Sequence, residues 1–363
     1  MSKAKLIARK AVLSALYLTG AHRLLRGSAA GQGAVLMFHR VRPDQSGDFA
    51  PNAHLEVTPQ FLELAVNRAR ELGYDVVDLD EARRRLVEGD RRRFVVLTFD
   101  DGYRDNFTVG YPVLKRLAAP FTVYVATGLV DRAAPLWWMI VEQVVQQQES
   151  VALSTDGEIA YVPSRGTGEK REAFARIHRW LVSIDEDRQR EAVKDLAWRY
   201  GVDAQAMADA EMMSWEEVKA LAADPLVTIG AHTVGHYALA KLPLPRARAE
   251  VRDGARVLEA VTGQKPRHFA YPYGYPGAAG PREFALLAEL GFATAVTTRP
   301  GVLTGKSASN WTAWPRISMN GLYQSQRHFD VLLSGAPFLR LADLIGRRRA
   351  ASPPPLGARP SGA

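Results

Sequence analysis

Two carboxylates stand side by side at Asp100 and Asp101, where the apolar run of Phe94–Tyr103 (FVVLTFDDGY) ends. Adjacent like charges are costly unless a cation keeps at least one of them ionised, so the pair points to a bound metal. Further along, His232 and His236 stand four positions apart in Gly230-Ala231-His232-Thr233-Val234-Gly235-His236. On a helical turn that spacing puts both imidazoles on one face, and H-x3-H is a usual way to present two nitrogens to one metal. Two neutral imidazoles and one carboxylate make a three-ligand site with its fourth position open to water, as in catalytic Zn²⁺ and similar divalent sites. The carboxylate left over is then placed to serve as a general base. A third segment, Phe269-Ala270-Tyr271-Pro272-Tyr273-Gly274, runs from a strand into a sharp turn. Such a turn aims backbone N–H groups outward, as an oxyanion hole requires. The competing reading is structural, because Asp-Gly is also an ordinary turn signal and a packed aromatic can close a turn.

These groups need strands that end together. Ala34–His39 (AVLMFH) reads as a first buried strand, and residues 42–57 read as a loop. Pro59–Leu72 carries a helical apolar stripe behind Thr58 as N-cap. Tyr74–Leu79 reads as a strand, Glu81–Glu88 as a helix, Phe94–Phe99 as a strand, Tyr111–Leu117 as a helix and Phe121–Val125 as a strand. Alternation of this kind implies a parallel sheet or barrel, with its chemistry at the carboxyl ends of the strands. It lapses over residues 131–213, where Leu136-Trp137-Trp138 leads a helix, a hairpin at Asp156-Gly157 follows, and two charged helices come next. We take this block as a helical insertion. Strands resume at Leu226–Ile229, Phe269–Tyr271 and Ala293–Val296. The end, residues 347–363, is low in complexity and expected to be disordered.

With no cysteine in 363 residues, a metal can be held only by His, Asp or Glu. The absence of cysteine also fits a cytoplasmic protein. The net charge of +8 is unevenly placed: residues 1–26 carry +6 and residues 338–363 carry +4, so the body between them carries −2. That distribution argues against a nucleic-acid-binding body. Residues 1–33 are expected to form a basic N-terminal helix, lying on the protein or in peripheral contact with an anionic membrane surface. Its uncharged core, Ala11–Ala21, is too short to span a bilayer.

Taken together, Thr98-Phe99-Asp100-Asp101-Gly102-Tyr103, His232-Thr233-x-x-His236 and Pro272-Tyr273-Gly274 resemble the polysaccharide deacetylase family, carbohydrate esterase family 4, the NodB homology domain of chitooligosaccharide deacetylases. The resemblance spans about residues 34–335. It implies an α/β fold, a distorted (β/α)7-type barrel here carrying a helical insertion. It further implies metal-dependent removal of N-acetyl groups from an oligomer or polymer of N-acetylglucosamine. The metal would be Zn²⁺, with Co²⁺, Ni²⁺ or Mn²⁺ as alternatives. By the resemblance Asp101, His232 and His236 are the metal ligands, Asp100 is the general base and the Tyr273 N–H binds the oxyanion. Thr233, Pro272, Tyr273 and Gly274 are expected at the substrate. Two features depart from the family pattern. The arginine that many members carry two residues before the proline is Ala270 here, and Arg316 is the candidate replacement. The C-terminal Leu-x-His is missing, and His328 does not match it. His39, which closes the first strand, is therefore expected to be the general acid, facing the metal from the side opposite Asp100. Two other classes compete: a carbohydrate-binding member without turnover, and a metallophosphoesterase, which would need Lys or Arg beside the site.

Overall fold

The computed structural model describes residues 3–44, 47–155 and 158–339. Among them seven parallel strands close into a barrel: β1 (Gly33–Phe38), β2 (Phe94–Phe99), β3 (Phe121–Val125), β4 (Val227–Ala231), β5 (His268–Ala270), β6 (Thr294–Pro300) and β7 (Trp314–Ser318). Their hydrogen-bonded order is β1-β7-β6-β5-β4-β3-β2, and β2 pairs back onto β1. Every residue of β1, β2 and β3 is buried. With helices outside and packed side chains within, such strands carry apolar runs rather than alternation. The closure is uneven, as a distorted barrel requires. β1 and β2 pair continuously from Gly33↔Phe94 to Phe38↔Phe99, whereas β4 and β5 share the single pair Ala231↔Phe269. The register of β6 on β7 slips between Val296 and Pro300.

The local signals divide into two groups. Thr58 does cap the helix Pro59–Glu71, its hydroxyl accepting from the Phe61 N–H at 3.1 Å. The strand expected over Tyr74–Leu79 shrinks to Asp75–Val76, which pairs with the first residues of β2 outside the barrel. It is cut short because the Asp78 carboxylate accepts from the Glu81 N–H and starts a helix at Leu79.

Residues 131–213 hold an antiparallel hairpin, Ser150–Thr155 with Glu158–Pro163, and the helices Trp137–Gln147, Thr167–Ser183, Glu186–Arg199 and Ala204–Glu211. The hairpin's Asp156-Gly157 turn falls outside the described residues. This block has its own core, in which Trp137, Ile140 and Val144 pack with Phe174, Ile177 and Leu181, and it rests on Tyr103 and Leu129 of the barrel. At the N-terminus two helices, Lys3–Leu18 and Ala21–Ala29, replace the single one expected, because Gly20 turns the chain with φ 70°. The tail at 347–363 lies outside the described residues.

Candidate active site

The carboxyl ends of four strands meet at one mouth of the barrel. Phe38 and Phe99 are register partners, so His39 and Asp100 leave β1 and β2 side by side, and the Asp100 N–H still donates to the Phe38 carbonyl at 3.0 Å. The His232 N–H likewise donates to Val125 O at the end of β3, and the Tyr271 N–H to Val296 O of β6. Strand register alone therefore brings together segments more than a hundred residues apart.

Beyond these ends the backbone turns abruptly. Of the six non-glycine residues with positive φ among the described residues, four lie in the three motifs: Asp101 (77°), Thr233 (66°), His236 (55°) and Tyr273 (61°). Left-handed backbone is disfavoured for residues with a Cβ, most of all for a β-branched one, and it persists where the surroundings enforce it. The His232–His236 segment is thus not the helical turn that its spacing suggests. Instead Thr233 Oγ1 accepts from the His236 N–H at 3.0 Å, and the Glu250 carboxylate accepts from the Val234 and Gly235 N–H groups at 3.1 and 2.7 Å. Gly254 lets the helix Leu244–Thr262 press against this loop, since a Cβ there would stand 2.9 Å from the Thr233 carbonyl.

The result is a tight cluster. Asp101 Oδ1 lies 3.3 Å from His232 Nε2 and 3.2 Å from His236 Nε2, and all three side chains are buried. His232 Nδ1 lies 2.7 Å from the carbonyl of Ala270, a contact that needs a proton on Nδ1. In the neutral ring Nε2 then offers a lone pair to a carboxylate oxygen, so two acceptors face each other. His236 Nδ1 is buried without a partner. Converging lone pairs of this kind repel unless a cation stands among them, so the donor set fits a divalent metal. The protonation states agree with this fit. Burial pushes the His236 imidazole towards its neutral form. Neutral imidazole and ionised carboxylate are the forms that bind metal.

Asp100 has a different partner. Arg316 reaches from β7 and donates to both carboxylate oxygens, Nη1 to Oδ1 at 2.7 Å and Nη2 to Oδ2 at 2.6 Å. Its Nε donates to Thr297 O of β6 at 2.9 Å and Nη1 to Thr98 Oγ1 at 3.2 Å, so four of the five guanidinium N–H groups are engaged. Burial would raise the Asp100 carboxyl, but the Arg316 charge and its hydrogen bonds hold it below its ordinary value. The His39 Nε2 stands 3.9 Å from Asp100 Oδ2, with the ring part-exposed. His39 is therefore beside Asp100 and not across from it, because paired strands carry the two residues out together. His328 plays no part at this mouth, since it sits on the helix Gln326–Leu333 with Nδ1 2.8 Å from Ser325 Oγ and its ring against Tyr323.

Of the four residues expected at the substrate, Thr233, Pro272 and Gly274 are buried and only Tyr273 reaches the surface. The first three hold loops. At Gly274 a Cβ would stand 2.5 Å from the Thr298 nitrogen, and Thr298 Oγ1 donates to Tyr273 O at 2.6 Å, so the turn is clamped onto β6. The Tyr273 N–H donates to no acceptor among the described residues.

Sequence reasoning missed the aromatic wall. Trp138 packs on the His236 ring at 5.4 Å and donates from Nε1 to Tyr103 OH at 2.9 Å. Trp137 donates from Nε1 to Tyr273 OH at 2.9 Å. The Trp-Trp pair was visible in the sequence, but nothing in its spacing tied it to the histidines.

Comparison with known proteins agrees with this architecture. A family model described as polysaccharide deacetylase matches residues 88–294, more than half of the chain. The deacetylase PplD of Streptococcus pyogenes, solved in complex with acetate, is similar over 79% of this chain and 92% of its own, at 19% identity and a TM-score of 0.52. IcaB from Ammonifex degensii is similar over 84% and 97%, at 20% identity and a TM-score of 0.51. At these identities the likeness concerns the fold. A curated Bacillus subtilis protein, YxkH, named for polysaccharide deacetylation, is 29% identical over 92 residues, which are 25% of this chain and 30% of its own length.

Proposed function

The chain belongs to the polysaccharide deacetylase family, and from that premise we propose that it removes N-acetyl groups from an N-acetylglucosamine-containing oligo- or polysaccharide, using a divalent metal. The observation that carries this reading is the buried Asp101–His232–His236 cluster beside an Asp100 clamped by Arg316. Asp101, His232 and His236 hold the ion, and two imidazoles with one carboxylate suit Zn²⁺ first, then Co²⁺, Ni²⁺ or Mn²⁺. When bound, the ion supplies Lewis acidity toward the attacking water and the acetamide carbonyl.

Asp100 takes the proton as the water oxygen bonds to the acetamide carbon. Arg316 keeps that base ionised and fixed in direction. The Tyr273 N–H donates to the oxygen that becomes negative. As the C–N bond breaks, His39 gives a proton to the leaving amine, and acetate departs with the water oxygen. Trp137 and Trp138 limit water at the side of the site that the insertion covers. The metallophosphoesterase alternative needs a free cation for the phosphate, and Arg316 is already spent on Asp100.

The test of substrate class is acetate release from N-acetylglucosamine oligomers by metal-loaded protein, with free amine appearing in equal amount. Release of phosphate from phosphate esters without any acetate would refute the reading.

The Arg316–Asp100 pair makes a second prediction. A carboxyl held low by its partner acts as a base above that low value and is lost only as pH falls through it. In Arg316→Met the main influence opposing burial is lost, so the carboxyl rises and the acid limb of kcat/KM moves to higher pH. A pH profile in which the acid limb stays put would contradict the assignment of Asp100 as base.

A further inference from the structure

We propose that the outward face of the helix Lys3–Leu18 docks on a lipid bilayer rich in anionic headgroups. One side of this helix packs on the body, through the buried Leu13 and the partly covered Leu6, Leu16 and Tyr17. Helical spacing puts Ile7, Ala8, Ala11, Val12, Ala15 and Leu18 together on the other side. All six are exposed, with Ile7 and Val12 at 58% and Leu18 at 79%.

A surface helix ordinarily turns charged residues to solvent, so an outer stripe without a polar side chain marks a covered surface. Beyond the bend at Gly20 the next helix exposes Leu24 at 85%. The stripe is not a membrane span, because no helix among the described residues is long and apolar enough to cross a bilayer.

Charge decides what covers it. Elsewhere several surface arginines are paired, Arg84 with Glu81, Arg116 with Glu63 and Arg246 with Asp187. Residues 1–26 contain Lys3, Lys5, Arg9, Lys10, Arg23 and Arg26 and not one acid. A second copy of the same face would bring like charges together, whereas anionic headgroups complement them. An apolar stripe on a segment that carries six cations and no acid is the pattern of a helix lying in the plane of an anionic interface. This docking does not depend on the chemistry at the barrel mouth.

The experiment is co-sedimentation of the full chain with vesicles of phosphatidylcholine alone or mixed with phosphatidylglycerol, at rising ionic strength. The chain should pellet with the anionic vesicles only and be released by salt, since surface attraction fades within the Debye length. Ile7→Glu with Leu18→Glu should weaken binding at least about tenfold, the order expected when an apolar contact and two charges are reversed, while thermal melting and acetate release from a soluble oligomer stay unchanged. If that variant melts early, Lys10→Glu with Arg23→Glu, which leaves the stripe intact, should weaken binding in the same sense. Three results would each overturn the proposal. These are equal binding to neutral vesicles, binding that both variants leave untouched, and a lipid-independent dimer that the first variant dissociates.

Discussion

His236→Ala should lose its metal on dialysis and fall to the uncatalysed background in acetate release, and His232→Ala should do the same. Each imidazole supplies one of only three protein donors, so removing either leaves two, too few for a stable open site. Both variants should also lose stability, for reasons that differ in part. His232 is tied to the Ala270 carbonyl, whereas His236 Nδ1 has no partner and its ring packs between Trp138 and Tyr273. His236→Ala therefore opens a cavity under the aromatic wall, and deleting buried ring atoms of this kind costs about 2–5 kcal/mol. Elemental analysis after dialysis, beside a thermal melt, checks both statements. Full metal occupancy in either variant would refute the ligand assignment.

Asp100 and Asp101 should fail in opposite ways although they are neighbours. Asp101→Asn should release the metal, because a neutral amide replaces the one anionic donor. Asp100→Asn should keep the metal and lose about 10²–10⁴ in kcat, the usual contribution of a positioned base. It should also melt lower. The Arg316 guanidinium would remain buried with its charge uncompensated, and breaking such a pair from one side costs roughly 3–5 kcal/mol. Asp101→Asn removes no cation's partner, so the metal-free protein should melt close to the metal-free parent. Equal metal loss in both variants, or unchanged melting of Asp100→Asn, would count against this division of labour.

What the sequence revealed follows from what physics makes local. Phe94–Phe99 and Phe121–Val125 were legible because a strand buried on both faces must be apolar throughout, and strands in one parallel barrel end at one mouth. That placed Asp100, Asp101, His232 and His39 near one another. Arg316 could be named as a candidate only through a family pattern, since its contact with Asp100 crosses the barrel from β7 to β2 and leaves no periodic trace. The His232–His236 loop was misread because i and i+4 spacing suits a helix, while Glu250, sixteen residues from Val234, holds an irregular left-handed turn in place. Asp78 ended a strand early for a similar reason, a side-chain cap outweighing an apolar pattern. His39 was placed at the right mouth but on the wrong side of it. Register fixes which strand ends are neighbours, whereas a side chain's direction past the last pair depends on the turn that follows.

The most direct test of the central claim is to strip the protein with a chelator, return Zn²⁺ in measured steps, and follow acetate release from an N-acetylglucosamine oligomer against bound metal. Activity should be absent in the stripped protein, rise in proportion to the metal retained, and level off at about one ion per chain, as a single three-donor site requires. Undiminished acetate release from protein shown to be metal-free would contradict the account.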